Sequence, residues 1–504
     1  MHKHFFFITL FLYFFNNIKA QSKPEFRGVW VATVSNIDWP SGGNYNTDKQ
    51  RAEFIELLNR HQRNGMNAMI VQVRPAADAF YPSFYEPWSE WLTGKQGTPP
   101  SAYYDPLEFM ITETHKRGME FHAWINPYRA EFNIGKSSIS PTHITHIHPE
   151  WFLTYGDKRY FDPGNKEVQQ YVTNIVKDVV QRYAVDAIHL DDYFYPYRIA
   201  GKEFPDNAKY MQYGNGLNKE DWRRSNVDSI ILMLSKAIKI ENKYCQLGIS
   251  PFGVWRNADK DSINGSRTMA GQTNYDDLYA NILLWLKNGW IDYVAPQLYW
   301  EFGHKAAPFE VLSDWWSKHT FGRNCYIGLG IYKANSNAAW KDPDQIPRQI
   351  KALRNLPNIQ GMIFYSSKSF AKNPNGWNDS LKNYYYRLPV FPPPMAWIDS
   401  TQPEAPQINS IGLRKSDSLY QVKGAFLHDP GNIKKIVVYV YEDDKINFRS
   451  ELENVFYFDP DGHKILLVFP IDPLHKTKRF GISTISKTNV ESAIQVFNWQ
   501  DLNE

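Results

Sequence analysis

The stretch HLDDYFYP, His189 to Pro196, sets two adjacent carboxylates between a short apolar run and a row of aromatic rings. An acidic pair beside apolar surface is costly unless it is hydrogen-bonded or paired, so Asp191 and Asp192 are either a local backbone cap or the centre of a site. As a site, carboxylates flanked by rings suit glycosidic-bond hydrolysis, in which one group is protonated as general acid and the other acts as nucleophile or base. Adjacent residues do not bracket a bond from both sides. A further carboxylate is therefore expected from elsewhere in the chain: Glu301 is the preferred general acid, Asp78 is the reserve and Asp38 is weaker. Apolar burial or a like-charged neighbour would raise the pKa of the acid.

Other polar and aromatic residues lie within or just after similar apolar runs. They are Trp30, Asp38 and Trp39; Arg74 and Asp78; Trp124, Asn126 and Arg129; His189 and Tyr193; Trp255 and Arg256; and Gln297, Tyr299, Trp300 and Glu301. Arg74 and Arg129 would orient the aspartates, accept a substrate carboxylate, or pair with local acids. Trp124, Trp255 and Trp300 are stacking platforms for sugar rings or core residues. Asn126, Gln297 and Tyr299 suit hydroxyl binding. The histidines of THITHIHPEW (His143, His146, His148) match no metal-ligand spacing, and no loop of regularly spaced oxygen ligands surrounds the aspartates. No nucleophile elbow, phosphate loop or dinucleotide fingerprint stands where a strand would lead into it. Neither a metal nor a cofactor is expected.

Eight apolar or β-branched runs would position these residues: 26–34, 68–73, 120–128, 187–194, 247–253, 293–299, 325–332 and 361–367. Amphipathic stretches separate them. In EVQQYVTNIVKDVVQRY the residues Val168, Val172, Ile175, Val176 and Val179 recur at steps of three and four and give one buried face. Strands alternating with such helices imply a parallel sheet, and eight units predict a (β/α)8 barrel, with a doubly wound open sheet as the alternative. Side chains alternate along a strand, so His189 and Asp191 share one face and Leu190 and Asp192 the other until the strand ends. The connections after the third and fourth strands, 129–163 and 195–222, are enlarged on the side where a barrel builds its site.

The chain of 504 residues is longer than one core usually grows. Residues 1–20 have the basic start, apolar run and small final residue of a secretory signal peptide, and Phe5 to Phe15 is too short to span a bilayer. No cysteine follows that run for lipidation. Export to the periplasm, the envelope surface or the medium is expected, with no membrane span in the mature chain. Cys245 and Cys325 are too few for a disulfide framework. The net charge of +3 falls to +1 once Lys3 and Lys19 are subtracted (3 − 2), which argues against nucleic acid as a partner. Aromatic residues make up 16% of the chain; many must be core, and Trp and Tyr beside carboxylates also suit a carbohydrate cleft. The barrel is expected over 21–390, a Pro-rich linker over 391–405, and a small β-sandwich over 406–504, where short β-prone segments alternate with Asp, Gly, Pro and Asn.

The motifs FRGVWVATVSNIDWPS, VQVRPAADAFY, AWINPYR, HPEWF, DDYFYPY, SPFGVWRN and PQLYW, in that order from Phe26 to about Tyr365, resemble the glycosyl hydrolase-like 10 family of secreted bacterial barrel proteins. The C-terminal part, with APQI and TNVES, is similar to fibronectin type III-like modules. The resemblance implies an exported hydrolase of a polysaccharide or of peptidoglycan glycan strands, with the family's acidic motif at Asp191 and Asp192 and no obligate protein partner. A barrel that binds glycan without cleaving it is the alternative.

Overall fold

Of the computed structural model, residues 24–414, 419–441, 449–450, 456–457, 464–469 and 479–498 are described here. The predicted leader at 1–20 lies outside the described residues. Strands β1 (Phe26–Val31), β2 (Ala68–Arg74) and β3 (Glu120–Ile125) precede three short strands, β4 (Arg129–Glu131), β5 (Phe152–Tyr155) and β6 (Lys158–Phe161). The series continues with β7 (Ala187–Leu190), β8 (Gln246–Ile249), β9 (Tyr293–Val294), β10 (Asn324–Leu329) and β11 (Gly361–Phe364). All but β4 to β6 close into a parallel barrel in the order β1-β11-β10-β9-β8-β7-β3-β2. Each of the eight apolar runs supplies one barrel strand, and the sheet is closed rather than open.

Alternation along the strands builds two layers of core. Phe26, Trp30, Ala68, Ile70, Trp124, Ala187, Tyr293, Tyr326 and Ile363 fill the barrel interior. Their neighbours, such as Val29, Val71, Phe121, Ile188, Leu247 and Ile327, face outward into the helical layer. The helices begin where side chains satisfy orphan amide groups. Asn46 caps the helix Thr47–Arg63 by accepting from Lys49 N, and Asn165 caps Lys166–Arg182 by accepting from Glu167 N. In the latter helix Val168, Val172, Ile175, Val176 and Val179 are fully buried, as their spacing predicts.

The enlarged connection after β3 is more ordered than a plain loop. Within it β4, β6 and β5 pair as an antiparallel sheet, and β5 turns into β6 at Gly156, whose φ of 68° suits a residue without a side chain. Except for β2, the barrel strands also end earlier than their apolar runs: β7 stops at Leu190, so both aspartates stand on the segment that leaves the strand.

After the Pro-rich passage come β12 (Gln407–Arg414), β13 (Leu419–Ala425), β14 (Ile433–Tyr441), β15 (Arg449–Ser450), β16 (Phe456–Tyr457), β17 (Lys464–Phe469), β18 (Arg479–Ser486) and β19 (Gln495–Asn498). They form two antiparallel sheets, β12-β13-β17 and β15-β14-β18-β19 with β16 also paired to β14, in keeping with a small all-β sandwich. This unit meets the foot of the barrel, where the strands begin. Lys434 Nζ reaches Glu120 Oε1 at 2.8 Å and Asp186 Oδ1 at 2.6 Å, and Trp397 Nε1 donates to Asp292 at 2.9 Å. Cys245 and Cys325 are both free and buried. Among the described residues no helix is long and apolar enough to cross a membrane.

Candidate active site

The barrel mouth gathers residues from the ends of β1, β3, β7, β8, β9 and β11. Asp191 and Asp192 are both nearly inaccessible, at 3% and 2% exposed, yet their surroundings differ. Asp191 Oδ2 accepts from Trp124 Nε1 at 3.2 Å and from Asn126 Nδ2 at 3.0 Å, and Asp191 Oδ1 accepts from Tyr193 N at 3.4 Å. Burial pushes its pKa up, and the nearby Arg129 charge with these donors works against that rise. Asp192 Oδ2 accepts a short hydrogen bond, 2.5 Å, from Tyr197 OH. Burial first and the Asp191 charge second raise its pKa to about 7. The two carboxyl groups therefore differ in surroundings: Asp191 has an indole, an amide and a backbone donor with Arg129 nearby, whereas the pKa of Asp192 is raised to about 7.

The supporting groups come from several strands. Arg129 lies over the Tyr193 ring at 4.9 Å, and its backbone N–H donates to Asn126 Oδ1 at 2.9 Å, which fixes the amide that serves Asp191. Tyr193 and Tyr197 pack at 5.3 Å, Tyr197 meets Phe252, and Phe252 meets Trp300 at 5.5 Å, forming one aromatic wall. Tyr299, Tyr332 and Tyr365 form a second group. Gln297 Nε2 donates to Ser250 O at 2.9 Å. One layer deeper, His189 Nε2 lies 3.1 Å from Trp30 Nε1 and 2.9 Å from Ser250 Oγ; burial keeps this imidazole neutral by depressing its pKa well below the usual range.

Other candidates from the sequence have structural partners. Trp39 is 1% exposed, donates to Gln50 O and packs on Phe54 and Phe80. Arg74 is fully buried and bridges to Glu86 through both Nε and Nη2. Asp78 is 1% exposed and accepts from Ala76 N, and burial raises its pKa to about 7. Trp255 is buried against Tyr275 and Trp315, and Arg256 pairs with Asp276. Asp38 accepts from Ala32 N, Ser366 Oγ and Lys368 N, tying the exits of β1 and β11 together. Glu301 Oε2 accepts from Trp340 Nε1 at 3.0 Å.

Tyr197 and Phe252 were not singled out from the sequence. Tyr197 closes the motif DDYFYPY, but the nearer rings of Phe194 and Tyr195 prove to be 1% exposed core. Their turn inward carries the chain to Tyr197 at the mouth. The histidine cluster is local structure: His143 caps the helix Ile144–Ile147, and His148 stacks on Trp151 at 4.1 Å. A cavity of about 380 Å³ lined by Glu25, Arg27, Arg354 and Tyr385 lies at the foot, and its buried Arg27 pairs with Glu25.

An eight-stranded parallel barrel with acids and rings at its mouth defines the class, and the family follows from comparison. The chain belongs to the family described as Glycosyl hydrolase-like 10, whose model matches residues 25–346. It is 48% identical over 411 residues to Glycosyl hydrolase YngK of Bacillus subtilis (strain 168), covering 80% of each chain. It is 39% identical over 373 residues to Glycosyl hydrolase DigH of Escherichia coli (strain K12), covering 68% of this chain and 83% of the relative. Among solved structures it is similar to the PgaB (BpsB) glycoside hydrolase domain from Bordetella bronchiseptica, with a TM-score of 0.42 and 13% identity over 71% of this chain and 98% of the other.

Proposed function

We propose that this chain is an exported glycoside hydrolase that cleaves O-glycosidic bonds in a cell-wall glycan or another polysaccharide. Two buried adjacent carboxylates with divergent environments carry the reading. In it, Asp192 is the proton donor to the leaving oxygen, because burial beside Asp191 keeps it protonated up to about pH 7. Asp191 is the charged partner, oriented by Trp124 and Asn126, that stabilises positive charge developing on the sugar. The wall of Tyr193, Tyr197, Phe252 and Trp300 offers ring faces for sugars. Glu301 is the carboxylate proposed for the opposite side of the bond, and the C-terminal sheets are a spacing or binding module of fibronectin type III-like kind.

A binding-only barrel is the second reading. It is favoured by one observation: Glu301, Asp78 and Asp38 are each engaged by a protein donor. Reducing-end release from purified peptidoglycan, with and without prior removal of stem peptides, separates the two. Release by wild type and none by D192N supports hydrolysis; retention of glycan with no release from any polymer supports binding alone. E301Q tests the third carboxylate, since rescue on substrates with activated leaving groups would mark Glu301 rather than Asp192 as the acid.

A further inference from the structure

A line of hydrogen bonds runs down the barrel axis from the mouth to the C-terminal sheets. His189 Nδ1 lies 2.8 Å from Tyr293 OH, and the same hydroxyl lies 2.9 Å from His122 Nδ1. His122 Nε2 lies 3.1 Å from Glu120 Oε2, and Glu120 Oε1 accepts from Lys434 Nζ at 2.8 Å and Asn489 Nδ2 at 3.1 Å. Room for the central ring is built in. A side chain at Gly248 would place its Cβ 1.9 Å from Tyr293 Cζ.

The donors in this line have a forced direction. An indole N–H only donates, so His189 Nε2 is the acceptor and the proton of the neutral ring sits on Nδ1, where it donates to Tyr293. The tyrosine then gives its own proton to His122 Nδ1, which places the His122 proton on Nε2, facing Glu120. The arrangement is complete only while Glu120 is a carboxylate. Glu120 is fully buried near Asp186, and the Lys434 ammonium, set between them, is in contact with both and favours their charged forms; His115 also bonds Asp186, and the neighbouring Lys435 is bonded to Gly118 O. Without Lys434, a proton on Glu120 would donate to His122 Nε2, and every bond in the line would reverse. His189 would then present N–H to the Trp30 N–H, and that contact would open.

We propose that Lys434 is a positioning residue for the barrel mouth: through Glu120, His122 and Tyr293 it sets the tautomer of His189 and thereby holds Trp30 beneath the acid pair. The C-terminal sheets thus act on the site without touching it.

Imidazole nitrogen NMR of the full chain with labelled histidine reads this directly, with the two signals assigned by their loss in H122Q and H189Q. The wild type is expected to carry its protons on Nδ1 of His189 and Nε2 of His122, K434M to invert both, and K434R to keep the wild-type pattern. If K434M does not fold, K434Q, which keeps a donor without charge, is read in the same way. A wild-type proton on His189 Nε2, or unchanged tautomers in the neutral variant, overturns the proposal. Reducing-end release, an arm that rests on the hydrolase reading, should fall several-fold in K434M and return in K434R; inverted tautomers with unchanged release would overturn the positioning role. If the wild type releases no reducing ends, the hydrolase reading fails while the spectra still test the relay.

Discussion

Two pairs of carboxylates stand at opposite ends of the barrel. At the foot, Glu120 and Asp186 share Lys434, with His115 also bonded to Asp186. Burial is the largest single influence and opposes their charge, but the Lys434 ammonium together with the His122 contact to Glu120 and the His115 contact to Asp186 outweighs it, so Glu120 is held down at about 2 and Asp186 well below the usual range. At the mouth, Asp191 and Asp192 have an indole, an amide and a phenol as direct donors, and both pKa values are raised. Chemical type and burial are alike; the partner differs. A buried acid with a cation in contact holds structure together, whereas one served by neutral donors keeps a proton that chemistry can use.

The contrast breaks most sharply on activity. D192N and D191N should each lose about 10²–10⁴-fold in turnover, the range for a general acid–base group, measured as reducing-end release with glycan binding retained. Wild-type turnover in either variant removes that residue from the chemistry. At the foot the larger effect should be on stability: K434M removes the ammonium in contact with both acids, leaving His115 on Asp186 and His122 with Asn489 on Glu120, and should cost about 3–5 kcal/mol in denaturant unfolding.

The pH dependence sharpens the same comparison, because the two ends have opposite signs. Asp192 has a folded pKa raised from 3.8 to about 7, so its contribution to stability is full below 3.8 and is lost as pH rises through 7. Glu120 is lowered from 4.5 to about 2, so its contribution is present above 4.5 and is lost as pH falls through 2. D192N should therefore flatten the decline in stability between about pH 4 and 7 without altering the acid transition, as read from unfolding midpoints across that range. The activity of W124F should show its acid limb shifted to higher pH, since losing the indole donor raises the Asp191 pKa; an unshifted limb would separate Trp124 from Asp191. The smallest effect is expected at the wall, where W300A should raise KM by roughly fivefold, the worth of one aromatic contact of about 1 kcal/mol, with kcat unchanged.

The barrel was legible because its eight runs are buried on both faces and separated by helices with one apolar stripe. Asp191 and Asp192 were legible as a pair for the same reason: they lie in the fourth run, directly after its apolar start. What single-sequence reasoning lacks is the far partner. Arg74 ends β2 as a substrate-binding arginine would, but its bond to Glu86 forms only when the loop folds back. Trp39 reads as a mouth residue until the chain carries it under Phe80. Lys434 and Glu120 are separated by 314 positions, and nothing local to either announces the other. The short sheet β4-β6-β5 left a fainter trace, two β-prone runs around Gly156 and Asp157, within a stretch whose length alone suggested a loop.

Strand β3 carries a consequence for how this protein can change. Glu120, His122 and Trp124 alternate along it, so one strand face holds the foot carboxylate, the middle of the axial line and a donor to Asp191. Inserting or deleting one residue would turn all three outward together. Substitutions can be sampled here one at a time, but a change of length cannot, and relatives that keep the mouth should keep the spacing of this strand even where its residues differ.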